Sequence, residues 1–232
     1  PIARIQSDAM TAPPLNPADY PLIVSPDCQR GGGDHDARTP PGQTLTTKWP
    51  VLHYGSVPKI KTQNWSLRIF GLVENDVELS WEQFNALPRV TVKCDIHCVT
   101  HWSRLDNHYT GVSTRTLLDL AKPLPSAKFV MQHAKSEPAD DWTTNLPLNE
   151  FLSDDCLLAT HHDGEPLTAD HGGPVRGIVP QLYFWKGAKW ITSIELRDSD
   201  APGFWEINGY HMHGDPWREA RFGWLTQCVH DI

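Results

Sequence analysis

The chain has 232 residues, of which 39% are hydrophobic, so it can bury the core of one large domain. Its 20 basic and 28 acidic residues give a formal charge of −8, which argues against nucleic acid or an anionic membrane as a partner. No run approaches the roughly 20 apolar residues that span a bilayer. We therefore expect no membrane span, and a small molecule or a protein as the partner.

The cysteines are few and odd in number, which is not typical of a disulfide framework. This favours a reducing compartment, so we expect a cytoplasmic protein. Because the chain begins at Pro1, a leader removed upstream would make the periplasm the alternative. The five cysteines are Cys28, Cys94, Cys98, Cys156 and Cys228.

The first part of the chain is rich in proline, glycine and aspartate. Residues 1–44 include the run Gly31-Gly-Gly33 and are predicted to form an extended arm with little structure of its own. Order is expected to begin near Trp49. The domain proper is therefore predicted to cover residues 45–232.

A strand at 64–71 and a partner at 77–79 predict a hairpin. Ser80 follows as a helix N-cap with Gln83 in the capping-box position, and Pro88 ends that short helix. A strand then leads from Val90 to Cys98.

Ser113 is a second N-cap, and Pro123 ends its helix. Asp163-Gly164 is a strong hairpin turn. Short strands and helices without a repeating βαβ pattern predict an α+β fold with mixed sheets. Further strands are predicted at 156–160, 175–179 and 189–196.

Cys98 lies where the strand from Val90 meets a loop. In that strand Val90, Val92, Cys94, Ile96 and Cys98 share one face, so the thiol is presented at the rim of the core. A thiol held there is suited to act as a nucleophile or as a soft metal ligand. The alternative, a small buried hydrophobic residue, is the commoner role of a lone cysteine.

A zinc site is the alternative at the same segment, since Cys94, His97 and Cys98 are close in sequence. They lack a second ligand pair at the spacing of structural zinc sites, and no His-Glu-x-x-His run is present. A zinc hydrolase is therefore the least favoured function for this chain.

Two glycine-containing segments suit an anionic ligand. Asp170-His-Gly-Gly-Pro-Val-Arg176 places His171 and Arg176 across two glycines, and Arg176 can bind a phosphate bidentately. Lys186-Gly-Ala-Lys-Trp190 has small residues between two lysines. A glycine turn with a structural ion pair would explain either segment alone. No standard nucleotide loop is present, so an anion other than a common nucleotide is favoured.

These segments, arranged around one cysteine, resemble the catalytic domain of the sulfite oxidase family of molybdenum enzymes, in the branch that includes the bacterial methionine sulfoxide reductase catalytic subunit. The resemblance runs from about Arg38 to about Trp217. Its motifs are Cys98-Val-Thr-His-Trp-Ser103, Asp170-His-Gly-Gly-Pro-Val-Arg176, Lys186-Gly-Ala-Lys-Trp190 and Pro202-Gly-Phe-Trp-Glu206.

The resemblance implies molybdenum and molybdopterin as cofactors, with Cys98 as the thiolate bound to the metal. A soft, charge-donating thiolate suits a metal that cycles between oxidation states. Thr100 and Trp102 would line the space near the metal. The positions that match pterin and phosphate contacts are His53, Tyr54, His171, Arg176, Gly187, Ala188 and Lys189.

The chain departs from true sulfite oxidases at Leu52, where they carry an arginine that binds the oxyanion substrate. The resemblance therefore implies two-electron oxygen-atom transfer on a small neutral substrate, such as a sulfoxide or an N-oxide, rather than on sulfite. No dimerisation or haem domain is expected, so we predict a monomer that exchanges electrons with a separate protein. The alternative is a catalytically silent pterin-binding or interaction module of the same fold.

Overall fold

The computed structural model of the chain describes residues 14–135 and 142–223. Two mixed β-sheets and four short α-helices make up the regular structure of this part of the chain. This confirms the predicted α+β class. The strands are β1 (Leu22–Val24), β2 (Thr44–Leu45), β3 (Ser66–Gly71), β4 (Val77–Ser80), β5 (Val90–His97), β6 (Trp102–Ser113), β7 (Phe129–Ala134), β8 (Trp142–Pro147), β9 (Leu157–His162), β10 (Glu165–Pro166), β11 (Arg176–Ile178) and β12 (Ile191–Arg197); the helices are α1 (Trp81–Asn85), α2 (Thr114–Ala121), α3 (Leu148–Phe151) and α4 (Phe204–Ile207).

The first sheet has the strand order β1-β5-β6-β9-β10, with β11 also paired to β9 and β2 to β6. The second sheet has the order β4-β3-β12-β7-β8. Each sheet combines parallel and antiparallel neighbours: β1 runs parallel to β5, and β12 runs parallel to β3. Chain segments far apart in sequence therefore meet in each sheet.

Local sequence signals explain several of these elements. Ser80 and Gln83 form the predicted capping box at the start of α1. The Ser113 hydroxyl accepts a hydrogen bond from the Thr116 N–H at the start of α2. The predicted hairpins β3–β4 and β9–β10 both form, and Asp163 at the second turn has a positive φ of 49°.

The larger hydrophobic core joins both sheets and α2. It includes Leu67 and Ile69 of β3, Leu117 of α2 and Leu158 of β9, all of them fully buried. Burying a side chain of this size contributes about 1.5–3 kcal/mol. A second cluster, centred on Val92 of β5, packs against the other side of the first sheet.

Strand β5 is buried on both faces, unlike the alternating strand of a half-exposed sheet. Thr91, Asp95 and His97, on the face opposite Cys94, have almost no solvent exposure. Segments from the N-terminal part of the chain cover that face, so the strand that leads to Cys98 is held from two sides.

The expectation of an arm with little structure is wrong for residues 14–44. These residues contain β1, which pairs with β5, and β2, which pairs with β6. Arg38 is buried and binds Asp95 of β5 through two hydrogen bonds of 2.6 and 2.9 Å. A three-residue apolar run and a buried ion pair thus help to attach a segment whose composition favours disorder.

The division of the chain at residue 44 stays a prediction, and residues 1–13, Cys228 and the rest of 224–232 lie outside the described residues. None of the helices in the described part is long and apolar enough to cross a membrane.

Candidate active site

A cavity of about 210 Å³ opens beside Cys98, at the end of β5. The backbone N–H of Cys98 donates to the Trp102 carbonyl at 2.9 Å, and the His101 N–H donates to the Cys98 carbonyl at 3.1 Å. This tight turn joins β5 to β6 and fixes the direction of the thiol. The residues that line the cavity come from six separate parts of the chain: Trp49, Pro50, Leu52, His53, Cys98, Val99, Thr100, Trp102, Trp142, Arg176, Phe184, Trp185, Gly187, Lys189, Trp190, Trp205 and Tyr210.

The Cys98 thiol is shielded from bulk water but faces this cavity, with the residue 9% exposed. Burial raises the pKa of the Cys98 thiol, and the hydrogen bond to Thr100 opposes that rise. The Sγ and the Thr100 hydroxyl oxygen are 3.2 Å apart. The positive charges of Arg221 and Lys189 also favour the thiolate. Burial thus outweighs the groups that favour the thiolate, which suits a thiol that becomes a thiolate only on binding a metal.

Arg176, the first residue of β11, is a buried cation without a carboxylate partner among the described residues. Its guanidinium donates to the backbone carbonyls of His171 at 3.0 Å and Gly187 at 3.4 Å, and it lies 3.9 Å from the centre of the Phe184 ring. Burial lowers the pKa of Arg176 to about 10. An unpaired buried cation is costly, so this position favours an anionic ligand.

Lys189 is a second basic side chain in the same region, and the imidazole of His171 lies beside it. Lys189 Nζ donates to the carbonyls of Leu52 at 2.8 Å and Asp170 at 2.7 Å. Burial, and then the nearby Arg176, lowers the pKa of Lys189 to about 7. The same two causes lower the pKa of His171 to about 4, and its buried Nδ1 has no hydrogen-bond partner.

The loop that carries Lys189 packs directly on β11 through glycines. A Cβ added to Gly187 would lie 2.2 Å from the Gly177 carbonyl oxygen, so a larger residue would push the loop away. Gln132 of β7 fixes the loop from the core: its side chain donates to the Lys186 carbonyl at 2.7 Å and accepts from the Ala188 N–H at 3.1 Å.

Six of the site residues predicted from sequence line the cavity together: His53, Cys98, Thr100, Arg176, Gly187 and Lys189. Trp102 also lines it.

Three predicted residues lie outside this lining. His171 packs behind it, stacked on Trp49 with ring centres 3.8 Å apart. Tyr54 is 62% exposed and contacts Phe204 rather than the cavity. Ala188 is fully buried, with its backbone turned to Gln132.

Sequence reasoning missed the aromatic wall of the cavity. Trp190, Trp205 and Tyr210 are not among the predicted site residues, yet all three line the cavity. One signal in the sequence could have indicated this wall: aromatic residues stand next to polar motif residues, as in Phe184-Trp185-Lys186-Gly187. The remaining unpredicted aromatic residues of the wall are Trp49, Trp142, Phe184 and Trp185.

The arrangement fits an anionic, metal-carrying cofactor. Among the residues that the structure describes, no carboxylate pairs with Arg176 or Lys189 in the cavity, and the Cys98 thiol faces the same space. Among the described residues there is no group of three or more histidine, cysteine or acidic side chains that could hold a metal by itself. One soft protein ligand beside a cationic pocket matches a metal brought by an organic phosphate group better than a zinc site does.

The mixed sheets and this cavity define the class of protein, a molybdopterin-dependent oxidoreductase. Residues 54–205, more than half of the chain, match the family model described as an oxidoreductase molybdopterin binding domain. The chain belongs to this family, in its sulfite-oxidase-type group. Molybdenum and molybdopterin are accordingly its cofactors.

Comparisons with individual proteins agree with this family assignment. The chain is 50% identical over 192 residues to the uncharacterized oxidoreductase YuiH of Bacillus subtilis, covering 82% of this chain and 95% of that protein. It is 32% identical over 155 residues to the protein-methionine-sulfoxide reductase catalytic subunit MsrP of Gluconobacter oxydans, covering 61% of this chain and 49% of that relative. The sulfane dehydrogenase SoxCD of Paracoccus pantotrophus shares the fold, with a TM-score of 0.56 and 23% identity over 62% of this chain and 41% of that one.

Proposed function

We propose that this protein catalyses two-electron oxygen-atom transfer on a small neutral substrate, a sulfoxide or an N-oxide. The observation that carries the proposal is the Cys98 thiol facing a cavity whose cations, Arg176 and Lys189, have no carboxylate partner in the described part of the chain. The cations would hold the phosphate and pterin, and Cys98 would hold the metal. When bound, the molybdenum cofactor supplies the two-electron redox chemistry.

The residues on the substrate side of the cavity favour a neutral substrate. Leu52 stands where an oxyanion-binding arginine would be expected, and its carbonyl already accepts a hydrogen bond from Lys189. A doubly charged anion would lack a charge-assisted hydrogen bond worth about 1.5–3 kcal/mol. The remaining wall is largely aromatic and suits an apolar substituent.

The balanced reaction for a sulfoxide is R₂SO + 2 H⁺ + 2 e⁻ → R₂S + H₂O. The S–O bond breaks, sulfur is reduced, and the oxygen leaves as water. Both electrons must be delivered to the site, so we infer a separate electron-transfer protein as the partner. The Gluconobacter relative, named as a catalytic subunit, agrees with this inference.

Metal analysis of the purified protein tests the assignment of Cys98. In a host able to make molybdopterin, we expect molybdenum near one per chain in the wild type and a sharp loss in Cys98→Ala. Cys28→Ser is the matched control, because Cys28 lies away from the cavity and serine can keep its hydrogen bond to Asp95. Oxygen transfer at the wild-type rate by metal-loaded Cys98→Ser would contradict the assignment.

Turnover assays then separate the enzyme from a silent pterin-binding module. Sulfoxides and N-oxides are supplied with an artificial electron donor to molybdenum-loaded protein, beside a molybdoenzyme made in the same host as a control. Reduction of either substrate class supports the proposal. Full loading without turnover with any substrate or donor would favour the silent module.

We also propose that the protein is a monomer. We propose a cytoplasmic location, with the periplasm as the alternative, because the cysteines are sparse and odd in number. Light scattering on the purified protein tests the monomer, and fractionation of the native cells tests the compartment.

A further inference from the structure

Trp185 forms part of the cavity wall in a tightly constrained position. Its indole stacks on Tyr183, with ring centres 5.3 Å apart and an interplanar angle of 17°, and meets Tyr210 edge-on at 5.0 Å. A Cβ added to Gly214 would lie only 2.9 Å from the Trp185 ring, so backbone also packs against it. The ring therefore has little freedom to turn.

The polar edge of this indole is bound to a fully buried ion pair. Glu206 of α4 accepts a hydrogen bond from the indole N–H at 2.8 Å and lies 2.7 Å from the Lys186 ammonium, through the same oxygen, Oε1. Neither charged side chain is exposed. Lys186 also donates to the side chain of Asn145 at 2.9 Å and to the Met212 carbonyl.

Stability alone does not explain a buried ion pair here, since well-packed apolar residues often replace such pairs without loss. An apolar pair, however, could not accept the hydrogen bond that the Trp185 indole N–H donates. We propose that Glu206, fixed by Lys186, is a positioning residue that holds Trp185 as the specificity-determining wall of the substrate site. The substrates this wall favours are sulfoxides or N-oxides that carry an aryl group able to stack on the indole.

The first test measures positioning directly and does not depend on turnover. Oxidised, molybdenum-loaded protein is labelled with ¹⁵N-tryptophan, and Trp185→Phe assigns the indole N–H resonance. The matched pair is K186M/E206Q, which keeps an oxygen acceptor for the indole, and K186M/E206L, which does not. We expect a shifted, faster-exchanging resonance in K186M/E206L and a near-native one in K186M/E206Q. Native behaviour in both variants would overturn the positioning role.

The second test measures specificity and rests on the proposed function. With an artificial donor, we expect K186M/E206L to raise KM for methyl phenyl sulfoxide about three- to tenfold, the loss expected for one aromatic contact, with KM for dimethyl sulfoxide changing less than about twofold. The kcat values should change little, and K186M/E206Q should resemble the wild type.

Equal changes in KM for the two sulfoxides, despite a shifted indole resonance, would overturn the specificity role. If the loaded wild type reduces no substrate at all, the proposed function fails, while the resonance still decides whether Glu206 positions Trp185.

Discussion

Arg176 is the residue whose environment is hardest to explain without a ligand. Its guanidinium is buried, stacks on Phe184 and, within residues 14–135 and 142–223, hydrogen-bonds only to backbone carbonyls. A buried cation of this kind costs several kcal/mol when no anion compensates it. The pocket is therefore arranged for binding an anion at the expense of the stability of the empty protein.

Arg176→Met should consequently separate cofactor binding from stability. We expect the melting temperature of the cofactor-free protein to stay the same or rise, because an unpaired buried charge is removed. Pterin and molybdenum content should fall at least about tenfold, the loss of one or more charge-assisted hydrogen bonds. Arg68→Met, which removes a half-exposed arginine paired with Asp76, is the control and should change neither quantity. Full cofactor content in Arg176→Met would refute this role.

His213, which lies near the cavity loop, makes a pH-dependent contribution to the stability of the folded protein. Its hydrogen bond to Glu150 at 2.5 Å raises the pKa of His213 in the folded state above the unfolded value of about 6.5. The contribution is fully present below that unfolded pKa and is lost as the pH rises through the folded pKa. The wild type should therefore melt above Glu150→Gln by the largest margin near pH 6, and the margin should shrink toward pH 9. A margin that does not vary with pH would contradict the ion pair.

The sequence predicted the polar residues of the site better than its walls. Cys98, Arg176 and Lys189 belong to motifs in which chemistry and local spacing are tied together, so they could be found without knowing the fold. Trp205 and Tyr210 reach the cavity only because α4 packs against β8, a contact that local sequence does not encode. Ala188 lies outside the cavity lining, and its N–H donates to the side chain of Gln132 on another strand; its predicted contact with the cofactor stays a prediction.

At the scale of elements, hairpins and capped helices were predictable, while strands defined by distant partners were not. The capping box at Ser80 and the turn at Asp163 are local signals. Strand β6 was missed because a polar stretch around Asn107 interrupts its alternation. Strand β1 lies between Pro21 and Pro26 and is a strand only because β5 pairs with it.

The attachment of residues 14–44 depends strongly on one buried ion pair. Arg38→Met leaves Asp95 buried without its cation, and we expect a loss of about 3–5 kcal/mol in the free energy of unfolding. Urea denaturation measures this loss. Combining Arg38→Met with Asp95→Asn should recover part of it, because the uncompensated charge is removed.

Arg115→Ala serves as the control, since its exposed pair with Asp154 should contribute less than about 1 kcal/mol. A loss in Arg38→Met no larger than in this control would show that the segment is held by other contacts. Because Gln43 of the same segment donates to the Cys98 carbonyl at 3.1 Å, loosening it should also disturb the turn that carries the thiol.

For the molecule as a whole, the cavity is a place where residues of both sheets and of the loops between them meet. Its lining comes from residues between Trp49 and Tyr210, so no short fragment contains it. A ligand that bridges these segments should stabilise the entire fold by mass action, because the unfolded chain cannot reproduce the site. Because Arg176 and Lys189 in the lining are cationic, such a ligand should carry negative charge.

Inorganic phosphate should therefore stabilise the cofactor-free protein. At phosphate concentrations about ten times the dissociation constant the gain would be about 1.4 kcal/mol, which for a chain of this size raises the melting temperature by about 3–6 °C. Chloride at equal ionic strength should not reproduce this rise, because it cannot accept several hydrogen bonds from Arg176 and Lys189 at once. Arg176→Met should abolish most of it. An equal rise in Arg176→Met would place the phosphate elsewhere on the protein and contradict the assignment of the cationic pocket.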